Sequence, residues 1–330
     1  MAYRTAVGDS IKYGYAVGRV RVLEGRMLPS ATYERLLDAH TFSEQMRVLS
    51  DTPYGKFLEG AEVAEDVERA FDRALDDLYG FLVTANLPDS VNYFFRTPYD
   101  YANLKARLKA DVLGQSTEGL LVNLGTVPAE RFAGPVAALP KRFRELYERL
   151  TGDEAPATEE QVSTELDRVL FAELATHADY SKSRFLAGLV ALQIDLANVR
   201  TLLRARTRER KAADTRMLLI DGGTMDPDRL MGRYSLPVTE MAAAIVALRG
   251  PFKGLHAEDV VDLARYDVLA DDLQVRYLKQ ARMVAAGPEP VIGYVMARQA
   301  EVMMVRTLII GKMSGVATDV LRRRLRQRYG

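Results

Sequence analysis

The 330-residue chain contains no cysteine, which removes both a disulfide framework and a thiolate metal site. That absence fits a reducing compartment. Histidine is scarce too: His40, His177 and His256 lie far apart in the sequence, so the i, i+4 pairing that holds zinc on a helix is missing. Net charge is lacking, because 45 basic residues cancel 45 acidic ones. A neutral balance argues against whole-surface attraction to nucleic acid, since counterion release needs a strong positive field. No stretch approaches the roughly 18 apolar residues of a membrane span. The longest candidates are Met241 to Leu248, and Val302 to Ile310 interrupted by Arg306. No transmembrane segment is therefore expected. Met1 to Val22 mixes polar, charged and glycine residues with apolar ones, so no signal-peptide core is expected there.

Reactive constellations are missing as well. Gly311-Lys312-Met313-Ser314-Gly315 is not the Gly-x-Ser-x-Gly elbow of hydrolases. It is not a P-loop either. Arg306 stands where the upstream glycine belongs, and Met313 follows Lys312 in place of Ser or Thr, so the backbone cradle for phosphate is absent. Asp76-Asp77 and Asp271-Asp272 lack the further acid of a magnesium-binding cluster, with Gly80 and Val275 in that place. Neighbouring helix residues point in different directions, so these pairs read as solvated helix faces. A metal-dependent helical enzyme is disfavoured, and no cofactor is expected.

What the chain does have is helical period. Apolar residues recur at helical spacing over Tyr33 to Leu49, Val63 to Val83, Tyr99 to Leu113, Arg142 to Leu150, Glu159 to Ala178, Ser181 to Arg206, Thr239 to Leu248, Ala257 to Val284 and Pro290 to Lys312. Strand-like alternation is confined to Arg19-Val20-Arg21-Val22, too short to decide between strand and helix. Glycine and proline punctuate the chain at Thr52 to Gly55, Leu87 to Asp89, Gly114 to Ser116, Gly152 to Ala157, Asp221 to Gly223, Gly250-Pro251 and Gly287 to Pro290.

It also has repetition. An acid–Arg–apolar triplet occurs as Glu34-Arg35-Leu36, Glu130-Arg131-Phe132 and Asp228-Arg229-Leu230. Ahead of the second and third copies, Leu120 to Thr126 aligns without a gap on Leu218 to Thr224. The turn Asp221-Gly222-Gly223-Thr224 is thus a repeated inter-helix turn rather than an anion site. A second marker closes each unit: Asp100-Asn103-Leu104-Lys105-Leu108, then Asp195-Asn198-Val199-Arg200-Leu203, then Glu301-Met304-Val305-Arg306-Ile309. Two markers in one order at a period of about a hundred residues point to triplication. The expected organisation is all-α, with helical repeat units at 1–114, 115–215 and 216–330, related by three-fold pseudo-symmetry.

On a helix the acid, the Asn and the apolar residues of the second marker share one side. Such a face can pack while hydrogen-bonding a neighbouring backbone, or it can line a surface that a partner touches. Basic runs close two of these segments, at Lys105, Arg107 and Lys109, and at Arg200, Arg204, Arg206, Arg208, Arg210 and Lys211. Cations there complement the helix dipole. Arg322, Arg323, Arg324, Arg326 and Arg328 form a denser group near the end, suited to dipole complementation, lipid headgroups or an acidic partner.

At Tyr99 to Lys105, Asp195 to Arg200 and Glu301 to Gly311, the chain resembles the C subunit of prokaryotic V-type (A/V-type) ATPases and ATP synthases, whose eukaryotic counterpart is the d subunit. Tyr15 to Val22 resembles the family's opening helix, and on that resemblance the brief alternation there is read as helix. The likeness spans essentially the whole chain, with Met304 departing from the Asn of the other copies. It implies a funnel of three similar units with a central opening. It further implies a non-catalytic rotor component, cytoplasmic and peripheral to the membrane, that joins the D and F subunits of the central stalk to the membrane proteolipid ring. Candidate partner-binding residues are then Asp100, Asn103, Asp195, Asn198, Arg200, Glu301 and Arg306. A generic helical scaffold or adaptor is the alternative.

Overall fold

The computed structural model describes residues 7–152, 158–248, 252, 255–325 and 329, with side chains from Tyr13 onward. The expectations made for Met1 to Ala6, for the punctuation at 153–157 and Gly250-Pro251, and for Arg326 and Arg328 lie outside the described residues. Within them there is no β-strand. The helices are α1 (Val7–Glu24), α2 (Ser30–Asp38), α3 (Phe42–Leu49), α4 (Gly55–Leu58), α5 (Ala64–Thr84), α6 (Asp89–Leu113), α7 (Ala129–Ala133), α8 (Lys141–Thr151) and α9 (Glu159–Ser181). They continue as α10 (Arg184–Thr207), α11 (Ala212–Arg216), α12 (Pro227–Met231), α13 (Val238–Ala247), α14 (Glu258–Val261), α15 (Leu263–Leu278), α16 (Glu289–Met313) and α17 (Thr318–Arg323).

Residues 19–22 are helical, as part of α1. Tyr13, Ala16, Val17 and Val20 are all buried and fall at helical spacing, so the longer period overrides the two-residue one. Three other segments differ from the sequence reading. Tyr33 to Leu49 is two helices rather than one. Thr41 starts α3 by accepting the Glu44 amide, and the Glu44 carboxylate accepts the His40 amide at 2.7 Å. Thr41 is thus the N-cap of α3, and the His40 amide holds the Glu44 carboxyl below its usual range. Thr41→Ala is expected to lower stability by about 1 kcal/mol, read as a shift in the urea midpoint. Ala257 to Val284 is interrupted at Asp262, whose carboxylate accepts the Arg265 amide at 2.9 Å, and it ends as a 3₁₀ turn at Lys279–Met283. The helix expected from Tyr99 begins at Asp89 instead. It runs through Pro98 although proline leaves one backbone carbonyl without its donor. Buried Val91, Phe94, Phe95 and Thr97 anchor its first turns.

Packing gathers the chain into two compact units, a terminal unit of Met1–Pro88 with Val268–Gly330 and a central unit of Asp89–Asp267. In the terminal unit, α16 packs against α1, α2, α3 and α5. Val302, Val305, Leu308 and Ile309 of α16, and Val67, Phe71 and Leu75 of α5, are buried. Tyr54 meets Phe71 edge-on at 5.8 Å and Phe81 meets Tyr294 at 6.2 Å. In the central unit, α6 and α10 both pack on α9. Tyr101, Phe132 and Phe143 form an aromatic centre, with Phe143 5.4 Å from each of the others. Among the described residues, α10 is the one helix long and apolar enough to cross a membrane. Its apolar side chains, Leu186, Leu189, Val199 and Leu202 among them, are instead buried in the fold.

Candidate functional site: a repeated inter-helix joint

The two sequence markers, read separately, prove to be the two halves of one contact. Asp100 and Asn103 leave the same face of α6 and meet the loop that carries the next copy of the first marker. Asp100 accepts the Thr126 amide at 3.2 Å, the Thr126 hydroxyl, and the Val127 amide at 3.0 Å. Asn103 clamps Val122 from both sides, donating to its carbonyl at 2.8 Å and accepting its amide at 3.0 Å. The pattern recurs on α10. Asp195 accepts the Thr224 amide at 3.1 Å, the Thr224 hydroxyl, and the Met225 amide at 2.9 Å. Asn198 donates to the Ile220 carbonyl at 2.7 Å and accepts its amide at 2.8 Å.

All four side chains are at most 1 % exposed. Burial pushes the Asp100 and Asp195 carboxyls up from their usual range, against the downward pull of the threonine hydroxyls and backbone amides. An extra cation steadies the first joint, where Arg142 stands 3.5 Å from Asp100 and 2.8 Å from Glu173.

The glycine of each loop is fixed by this contact. A Cβ at Gly125 would lie 2.1 Å from an Asp100 carboxylate oxygen, and one at Gly223 would lie 2.2 Å from that of Asp195. The Gly-Thr pair seen twice in the sequence is therefore a lid of bare backbone over a carboxylate. This was the readable trace of the joint, but nothing in a linear pattern says which acid lies beneath.

The third copy is different. Glu301 on α16 accepts the Leu28 amide at 2.6 Å and the Tyr54 hydroxyl at 2.7 Å, and it pairs with Arg298. Arg298 in turn lies over the Tyr54 ring at 4.3 Å. Met304 stands where Asn clamps the other two loops, so no second tie of that kind forms. No sequence pattern marked Leu28, Tyr54 or Arg298 as partners. What makes this copy equivalent is its destination. Leu28 precedes the first acid–Arg–apolar triplet, as Val122 and Ile220 precede the second and third. The last copy thus returns to the start of the chain.

The cation of the second marker also repeats. Arg306 donates to Asp72 at 2.7 Å and stands as an ion pair 3.1 Å from Glu68, both on α5. Arg200 bonds Asp267 on α15 at 2.6 Å. Lys105 acts electrostatically on Asp167 of α9. Further along, Arg107 donates to the carbonyls of Phe132, Ala133 and Gly134 at the end of α7, and Lys312 donates to Ala39 at the end of α2. Arg206 reaches the Leu236 carbonyl beyond α12. Cations capping the C-terminal carbonyls of short helices are favourable on dipole grounds. Much of the basic run closing α10 is therefore engaged, since Arg208 and Arg210 both pair with Glu160. In the last basic group, Arg322 pairs with Glu34 and Asp38, and Arg323 with Asp319. Arg200 and Asp267 are each about one third exposed. Arg200→Ala should accordingly cost under about 1 kcal/mol in urea unfolding.

No cluster of metal-ligating side chains occurs among the described residues. The fold and its joints define an all-helical protein in which one kind of inter-helix joint occurs on both α6 and α10. Comparison with known proteins gives the family: its model, described as ATP synthase (C/AC39) subunit, matches residues 16–324, and the chain belongs to that family. The chain is 26% identical to the C subunit of the A-type ATP synthase of Thermococcus onnurineus (strain NA1), covering 93% of this chain and 89% of that protein. It is 23% identical to the C subunit of the V-type sodium ATPase of Enterococcus hirae, over 94% of this chain and 97% of that one. It is 25% identical to the C subunit of the A-type ATP synthase of Methanosarcina mazei, over 96% and 93%.

Proposed function

We propose that this chain is the non-catalytic rotor component that couples the central stalk, with its D and F subunits, to the membrane proteolipid ring of an A/V-type ATP synthase or ATPase. In this reading it lies on the cytoplasmic side, held at the membrane by the complex rather than by a span of its own. The observation that carries it is the return of the third joint to the first segment. Joints that follow one another along the chain and end where they began suit three units, 1–114, 115–215 and 216–330, closed as a funnel around an opening. A stalk tip fits such an opening. The names of the relatives support the same setting.

A body that passes torque must resist shear, and buried directional bonds do so better than apolar contact alone, because sliding leaves their donors unpaired. Asp100, Asn103, Asp195, Asn198 and Glu301 then serve the partners by holding the loops in place. Arg200, about one third exposed, has the exposure to approach a partner directly, while Arg306 is mostly buried against α5 and serves by fixing α16 there. Co-purification tests the reading. A tagged chain extracted in detergent from its native membrane should bring down a proteolipid ring and the stalk components together. Repeated recovery of neither would favour a general helical adaptor.

A further inference from the structure

We propose that the joint at Glu301 is the release point of the fold: the terminal unit opens there while the central unit stays closed. The three joints are alike in position but unequal in strength. Asp100 with Asn103, and Asp195 with Asn198, each hold three backbone amides, a backbone carbonyl and a threonine hydroxyl. Glu301 holds one backbone amide, that of Leu28, with the Tyr54 hydroxyl beside it. Met304 cannot replace the missing clamp, since a thioether is only a weak acceptor and has no donor.

Chain connectivity adds to the difference. The first two joints bridge 19 to 30 residues, so a parted loop remains tethered near its partner. The Glu301 contacts bridge 273 and 247 residues, so no short tether holds a parted Leu28 near Glu301. The centre of the joint is also polar. The Arg298–Glu301 pair is 12 % and 3 % exposed, and water entering an opened joint restores the hydration that burial removed. Apolar packing opposes release, because Val302, Val305, Leu308 and Ile309 are at most 1 % exposed. The open form is therefore a minor one, reached as a cooperative sub-global opening rather than by fraying. In a coupling component, a use that rests on the function proposed above, such a joint lets the body part to admit a stalk tip and lock once seated.

The opening is testable without that function. Native-state hydrogen exchange on the full chain, followed by NMR in low denaturant, reads each joint through its own amide. The Leu28 amide should exchange at least tenfold faster than those of Val122, Ile220 and Met225. Its rate should rise with denaturant in step with the α16 amides of Val302 and Val305. Because the chain lacks cysteine, Asp72→Cys with Arg306→Cys, bridged by a short bis-maleimide, ties α16, the helix that carries Glu301, to α5 and so blocks its cooperative opening. Bridging should bring Leu28 exchange down to that of Ile220. Equal exchange at all three joints would overturn the proposal, and so would a Leu28 rate that bridging leaves unchanged. Either result leaves the co-purification test of function standing on its own.

Discussion

Asp195→Ala should lower the stability of the central unit by about 3–4 kcal/mol, as much as truncating a buried core side chain. The change strips the acceptor from the Thr224 amide, the Thr224 hydroxyl and the Met225 amide at a site where no water replaces it cheaply. Each buried donor left unpaired costs about 1–3 kcal/mol, and relief from burying a carboxylate returns part of that. Asp195→Asn is the informative companion. Its carbonyl can still accept from Thr224, but its amide meets the Met225 N–H as one donor facing another. The expected order in urea unfolding is wild type, then Asn, then Ala, with the loss seen by probes in residues 89–267. An Ala variant within about 0.5 kcal/mol of wild type, the range of ordinary surface changes, would mean that the loop does not depend on the carboxylate.

Gly223→Ala should cost about 1–3 kcal/mol through overpacking, because the new methyl group would fall 2.2 Å from the Asp195 carboxylate. Backbone flexibility alone predicts a smaller loss, so a double-mutant cycle separates the two causes. With Asp195→Ala in place, the methyl group gains room, and the cost of Gly223→Ala should fall to a residue set by Ile194, whose side chain stands 3.2 Å away. A coupling energy near zero would contradict direct contact between carboxylate and loop. The same cycle at Asp100 and Gly125 should give the same sign.

The sequence carried the helical class and the recurrence of the markers behind the first two joints, because both are written as local pattern. The period at Val67, Phe71, Leu75 and Leu78 locates α5 to within a residue at each end. It also placed Asp100 with Asn103, and Asp195 with Asn198, on shared faces. Helix ends were less legible where a single polar group decides them. The break at Thr41 and Glu44 was written as a Thr-x-x-Glu capping signature inside an otherwise unbroken apolar period. Pro98 hid the first ten residues of α6, since proline ordinarily marks a helix start and here does not. The joints were illegible for a different reason. Each connects two markers through space, and a repeat shows that both recur without showing that they touch. The third joint was hidden most deeply: Leu28 and Tyr54 belong to no repeated pattern, and Glu301 reaches them only because the chain turns back on itself.

The terminal unit is made from two stretches of chain with the whole central unit between them. During synthesis, α2, α3 and α5 emerge well before α16, the helix against which they pack. At about 5–20 residues per second, that interval is on the order of ten seconds or more. Through it, α2, α3 and α5 lack the cover that α16 gives them, and apolar surface on them is open to a chaperone or to another nascent chain. Yield in a foreign host should therefore follow chaperone supply more closely than the modest length of the protein suggests.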